Sequence, residues 1–254
     1  MRSAPKILAV LALLALCPQA SAAIVMLEDF EDAVVNFTTS SGIFHDGNQD
    51  YYTMVPLNGP ITGASAPYLN NGGTSFFAAE DIDDGNSRPN NVVMTFEVNI
   101  ANTSNLAFSG LFAAAGNDFA IPAYDNNGNL ADDFLRVTAQ IDAGATQNLF
   151  WMSPSSGTNE QLFVDSDFNG IGGNGGEALA TRDFNDQTVS NLPIAGTGNT
   201  LFLRIELQSN DGNTEFAWDN IQIDGDVAVP EPSSFGLAGI AGLGFIIRRR
   251  RRSA

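Results

Sequence analysis

One cysteine, one histidine and one lysine occur in 254 residues: Cys17, His45 and Lys6. A single cysteine forms no internal disulfide and no zinc–thiolate site. The histidine lies in Gly42-Ile43-Phe44-His45-Asp46-Gly47 with no G-x-S-x-G or comparable nucleophile motif beside it. It reads as a surface-loop residue. Basic charge is almost missing from the middle of the chain. Positions 24–229 hold Arg88, Arg136, Arg182 and Arg204 against 28 acids, a net charge near −24. Such a body repels phosphate backbones, so nucleic acid is excluded as a partner. Its length suits one domain with a sizeable core, or at most two small ones. No stretch of it shows a capped helical period.

What is present at the two ends concerns export. Arg2 and Lys6 precede ten uninterrupted apolar residues, 7–16, then Pro18 and the small-x-small triplet Ala20-Ser21-Ala22. This is the layout of a secretory signal peptide, residues 1–22, cut by signal peptidase after Ala22. Cys17 leaves with it. At the other end stand Pro230-Glu231-Pro232, an uncharged apolar span at 235–247, and Arg248, Arg249, Arg250, Arg251 and Arg252. The prolines end any strand arriving from the domain. Thirteen helical residues reach about 20 Å against a hydrocarbon layer of about 30 Å. The arginine stems can snorkel, so a short transmembrane helix is feasible but marginal. The arginines stay cytoplasmic and leave the acidic body outside.

The ordered trio of Pro-Glu-Pro, short span and arginine cluster in residues 229–254 resembles the PEP-CTERM sorting signal of exopolysaccharide-producing Gram-negative bacteria. The same segment is sometimes labelled an ice-binding protein C-terminal domain, which implies nothing about ice. The resemblance implies a transient inner-membrane anchor, recognised by the protease exosortase at Pro230, Glu231 and Pro232. It implies release to the cell surface or extracellular matrix, where exopolysaccharide is a candidate partner.

Between the ends, residues 23–228 read as an all-β domain. Val92, Met94, Phe96, Val98 and Ile100 alternate with Val93, Thr95, Glu97 and Asn99. Leu135, Val137, Ala139 and Ile141 alternate with Arg136, Thr138, Gln140 and Asp142, and Leu201, Leu203, Ile205 and Leu207 with Phe202, Arg204, Glu206 and Gln208. Period two means strands with one buried face. Asn, Asp and Gly clusters at 70–73, 84–86, 125–128 and 210–213 supply turns. The last of these predicts a hairpin between 200–208 and 215–223. Phe216 and Trp218 are out of phase with Ile221 and Ile223, which predicts a β-bulge near Asp219-Asn220. Short strands so punctuated suggest a β-sandwich or jelly roll. The runs 27–32 and 218–221 also resemble the first and last strands of extracellular jelly-roll domains, many of them carbohydrate-binding.

Candidate chemistry lies in acidic loops. Asp165-Ser166-Asp167-Phe168-Asn169-Gly170 follows the D-x-D-x-N-G opening of calcium loops, with Glu177 one residue later than the closing glutamate should fall. Asp165, Asp167, Asn169 and Glu177 are the candidate calcium ligands; no other cofactor is indicated. The acidic runs 81–86 and 125–133 have ligand residue types without a recognised spacing. Phe150, Trp151 and Trp218 could stack sugars, but large aromatics in β-proteins more often fill the core. With 28 acids a chance carboxylate pair is expected, so a glycosidase motif cannot be read from their number. The expectation is a non-catalytic surface or matrix protein; a carbohydrate-binding module is the alternative, and a glycan-active hydrolase a more distant one.

Overall fold

The structure is a computed structural model that describes residues 21–32, 34–45, 50–56, 68–82, 91–115, 123–124, 130–131, 133–155, 161–209 and 215–228. The signal segment up to residue 20, the Pro-Glu-Pro motif, the apolar span, the arginine cluster and the turns at 84–86, 125–128 and 210–213 lie outside the described residues. The chain divides into two units, Ala23–Gly225 and the terminal segments Met1–Ala22 with Asp226–Ala254.

The described residues form strands and no helix, and none of them supplies a helix long and apolar enough to cross a membrane. The strands are β1 (Ser21–Glu28), β2 (Phe37–Thr39), β3 (Phe44–His45), β4 (Tyr51–Pro56), β5 (Ser75–Glu80), β6 (Asn91–Asn99), β7 (Thr103–Ala115), β8 (Ala123–Tyr124), β9 (Leu130–Ala131), β10 (Phe134–Ile141), β11 (Gln147–Pro154), β12 (Leu162–Val164), β13 (Gln187–Pro193), β14 (Thr200–Gln208) and β15 (Glu215–Val227). One sheet runs β13-β7-β15-β5-β4-β3, with β1 also on β15; the other runs β12-β11-β10-β14-β6-β2. β8 and β9 form a separate small pair. Two antiparallel sheets facing each other make the protein an all-β sandwich.

The three alternating strands of the sequence are β6, β10 and β14, and they are neighbours in the second sheet. Val137 faces Ile205 and Ile205 faces Met94, so the apolar phases of all three coincide on one face. That face meets Phe77, Phe108, Phe112, Phe216 and Trp218 of the first sheet in a single buried cluster. Phe112 stacks on Phe150 at 4.3 Å and Phe77 on Trp218 at 4.9 Å, each pair closing part of the core. Phe150 and Trp218 belong to this core, whereas Trp151, also buried, lies outside it beneath Arg136.

Two local expectations meet different outcomes. Asn220 takes the left-handed conformation, φ 48°. This irregularity brings Phe216, Trp218, Ile221 and Ile223 into the same core despite their opposed phases. The hairpin expected across 210–213 does not form. β14 pairs with β10 and β6, whereas β15 pairs with β5 in the other sheet, so the connection crosses from sheet to sheet. A turn signal marks a reversal but not the partner strand; here core-facing surface decides it. His45 also lies at the end of short strand β3 rather than in a loop, and it is exposed as expected.

Candidate functional site

The loop after β12 is the site the sequence singles out. The Asp165 N–H donates to the Trp151 carbonyl at 2.9 Å, which ties the loop's start to β11. Asp165 is buried; its carboxylate accepts from Gly170 N–H at 2.6 Å and from Asn169 N–H at 3.2 Å. Asp167 accepts from the same Asn169 N–H at 3.1 Å. Phe168 and Gly170 have positive φ, as a turn this tight demands. Gly173, Gly175 and Gly176 do too, and this run of left-handed residues absorbs the one-residue offset of Glu177. Glu177 folds back to accept from Ser166 N–H at 2.7 Å and Asn174 N–H at 3.1 Å.

Carboxylate oxygens of Asp165, Asp167 and Glu177 thereby lie within 4.8 Å of one another. The fourth sequence candidate behaves differently. Asn169 Oδ1 accepts from Ile171 N–H at 2.8 Å and its Nδ2 donates to Asp167 at 2.9 Å, so it holds the turn. Burial raises the Asp165 pKa against the opposing pull of the Gly170 and Asn169 N–H groups, and the Asp167 and Glu177 carboxyls add to the rise. Three converging acids of which one resists ionisation make a group that a hard cation would relieve. Of the acidic run 81–86 only Asp81 and Ile82 are described; residues 83–86 and most of 125–133 lie outside the described residues, and Asp133 is buried.

The outer face of the second sheet carries half the body's arginines. Glu206 accepts from Asn91 Nδ2 at 2.7 Å and from Arg136, whose guanidinium also lies 5.2 Å over the Trp151 ring. Arg204 donates to Gln140 at 3.1 Å and lies 5.5 Å over the half-buried Phe202 ring. Registers set Phe202 beside Gln140 and Glu97, and Arg204 beside Thr138 and Thr95. Paired polar groups flanking a partly open ring form a surface with fixed donors and acceptors.

Two further acidic clusters escaped the sequence reading. Asp219 in β15 is fully buried and accepts from Gly72 N–H at 2.7 Å. Glu31 accepts from the Thr74 and Ser75 N–H groups at 2.5 and 2.9 Å. A Cβ on Gly72 would fall 1.7 Å from the Asn220 side chain, and one on Gly73 2.0 Å from Glu31, so a larger residue at either position would have to displace these side chains. Burial lifts the Asp219 pKa to about 7, with Glu31 and Asp29 adding to the rise against the pull of the Gly72 and Asn220 N–H groups. The second cluster is Glu80 and Glu215, which face each other across β5 and β15 and are both buried. Burial, then the Glu215 charge, lifts the Glu80 pKa to about 8.

Fold and composition together define an acidic all-β sandwich. The tail places it further. Residues 228–252 match the PEP-CTERM protein-sorting motif, which marks an exported protein that is transiently membrane-anchored and processed by exosortase. No curated protein matches the chain. Similar solved structures include the CBM22-1 xylan-binding domain of Paenibacillus barcinonensis Xyn10C, at 13% identity and TM-score 0.36 over 83% of this chain and 99% of that one. The K2 cleaved adhesin domain of Lys-gingipain is 13% identical with TM-score 0.36, over 78% and 96%. A Stig cyclase from Fischerella sp. TAU is 13% identical with TM-score 0.38, over 82% and 100%. A xylan-binding domain, an adhesin and a cyclase act differently, and none of those activities transfers at this identity.

Proposed function

We propose that the protein is a non-catalytic component of the cell surface or extracellular matrix, released there by exosortase and associated with exopolysaccharide. The observation that carries this is the sorting motif at 228–252 behind an acidic β-sandwich. Signal peptidase opens the route by removing residues 1–22. The marginal apolar span then serves as an anchor meant to be left. Sealing of the facing Glu80 and Glu215 carboxyls supports the non-catalytic reading: they are 0% and 1% exposed, so a glycosidic oxygen does not reach them. Replacing Pro230, Glu231 and Pro232 by alanine should trap the protein in the inner-membrane fraction with its body folded. Unchanged release of that variant would contradict the reading.

The outer face of the second sheet favours a carbohydrate-binding alternative. Phe202 offers part of a ring, and Arg204 and Gln140 offer polar groups held beside it. A glycan array probed with the exported protein tests it. Phe202→Ala with Arg204→Ala should abolish any signal; a signal untouched by both changes places glycan binding elsewhere, and no signal from the wild-type protein counts against glycan binding. The 165–177 loop takes calcium as a structural ion in either case, with Asp165, Asp167 and Glu177 as its carboxylate ligands.

A further inference from the structure

A single row of side chains crosses the outer face of the first sheet. Register places His45 beside Tyr51, Tyr51 beside Glu80, and Glu80 beside Glu215, on β3, β4, β5 and β15. Directly paired residues of adjacent strands project to the same side, with Cβ atoms about 5 Å apart. His45 ends the row at the surface; the other three are at most 1% exposed. Alanines make room for a cover over this face. Ala78, Ala113, Ala115 and Ala217 pack against Phe76, Tyr68 and Phe184, the last two brought in by the Leu69–Asp183 bridge.

The row is polar where it is most buried. Neither carboxyl oxygen of Glu80 has a hydrogen-bond partner, and neither do the hydroxyls of Tyr51 and Tyr68. The Tyr51 hydroxyl is close enough to draw the Glu80 pKa down, yet the contact lacks hydrogen-bond geometry. Both phenols resist ionisation, chiefly through burial, and both feel the charges of Glu80 and Glu215. So Tyr51, Glu80 and Glu215 stand side by side in one buried row, Tyr68 belongs to the same buried cluster as Tyr51 and feels both carboxyls, and Asp50 and Asp81 add negative potential around the row. Burying like-charged groups opposite each other is unfavourable, and an unpartnered buried carboxyl costs several kcal/mol unless something compensates it. A proton satisfies one oxygen. A cation satisfies several at once.

We propose that this cluster is a second, buried site for a hard divalent cation such as calcium, with Glu80 and Glu215 as the charged ligands and the Tyr51 and Tyr68 hydroxyls as neutral ones. The donor set is all oxygen, which selects hard ions over zinc or copper. Two carboxylates balance a divalent charge. The site is separate from the 165–177 loop, which lies on the strands of the other sheet, and it does not depend on that loop binding calcium.

Calcium titration of the exported protein by isothermal calorimetry tests the proposal, with Asp165→Asn and Asp167→Asn introduced to silence the loop. In that background one calcium equivalent should remain that Glu80→Gln removes, or weakens by about tenfold or more, as loss of a charged ligand does. Its binding at pH 7 should also release a proton, read from the dependence of heat on buffer ionisation enthalpy. Glutamine is isosteric and uncharged, so the variant should fold; near-ultraviolet circular dichroism checks this. If it does not fold, Tyr51→Phe removes a single oxygen and should weaken the same equivalent. Calcium stoichiometry and affinity unchanged in Glu80→Gln, or in Tyr51→Phe where that variant stands in, would overturn the proposal and leave the pair held by a shared proton.

Discussion

Stability of the metal-free protein should fall as pH rises from 5 to 9, opposite to the usual behaviour of an acid-denatured domain. Glu80 has an ordinary pKa of 4.5 and a folded pKa of about 8, raised by burial and by Glu215. Asp219 goes from 3.8 to about 7, again chiefly through burial. Between the two values the folded state holds a proton that the unfolded state has lost. Stability then declines with rising pH, because the unfolded state binds fewer protons. It is fully present below about pH 4.5 for Glu80 and lost through about pH 8. The gap between 4.5 and about 8, at about 1.4 kcal/mol per pH unit, sets a ceiling near 5 kcal/mol for Glu80. Asp219 has a similar ceiling, of about 4 kcal/mol. Water entry and side-chain relaxation reduce both, and about 2–4 kcal/mol in all is expected. In a domain of this size that is a Tm drop of about 5–15 °C. Thermal melts in EDTA from pH 5 to 9, followed by circular dichroism, measure it. Glu80→Gln should flatten the upper part of the profile and raise Tm at pH 9. A Tm that is level or rises across this range in the wild-type protein refutes the reasoning, since the two carboxyls would then be hydrated or paired.

Millimolar calcium should raise Tm more than sodium at matched ionic strength, and Asp165→Ala with Asp167→Ala should remove the part owed to the loop; an equal response of wild type and variant would reduce that loop to a turn. Phe77→Ala should cost about 3–5 kcal/mol in chemical denaturation, because Phe77 is fully buried against Trp218, Tyr52 and Phe37. A loss under about 1 kcal/mol would mean that the two sheets do not close there.

Much of the second sheet was legible because its outer face meets water. β6 and β14 alternate between buried and partly exposed positions along their whole length, which is the pattern a reader looks for. The first sheet is harder to read. β5, Ser-Phe-Phe-Ala-Ala-Glu, is buried on both faces over most of its length, since Tyr68 and Phe184 cover the outer one, and so shows no alternation. The buried Glu80–Glu215 pair was hidden for a related reason. The two residues are distant in sequence, and only the β5–β15 register makes them opposite. In the 165–177 loop the ligand types were legible. Their convergence depended on four left-handed glycines, whose conformation no spacing rule specifies.

Intact mass spectrometry of the protein recovered outside exosortase-bearing cells tests the central claim most directly. The account predicts a chain that begins near Ala23 and lacks Arg248, Arg249, Arg250, Arg251 and Arg252, with the full tail retained when exosortase is deleted. An exported chain that keeps its arginine cluster while exosortase is active would contradict it.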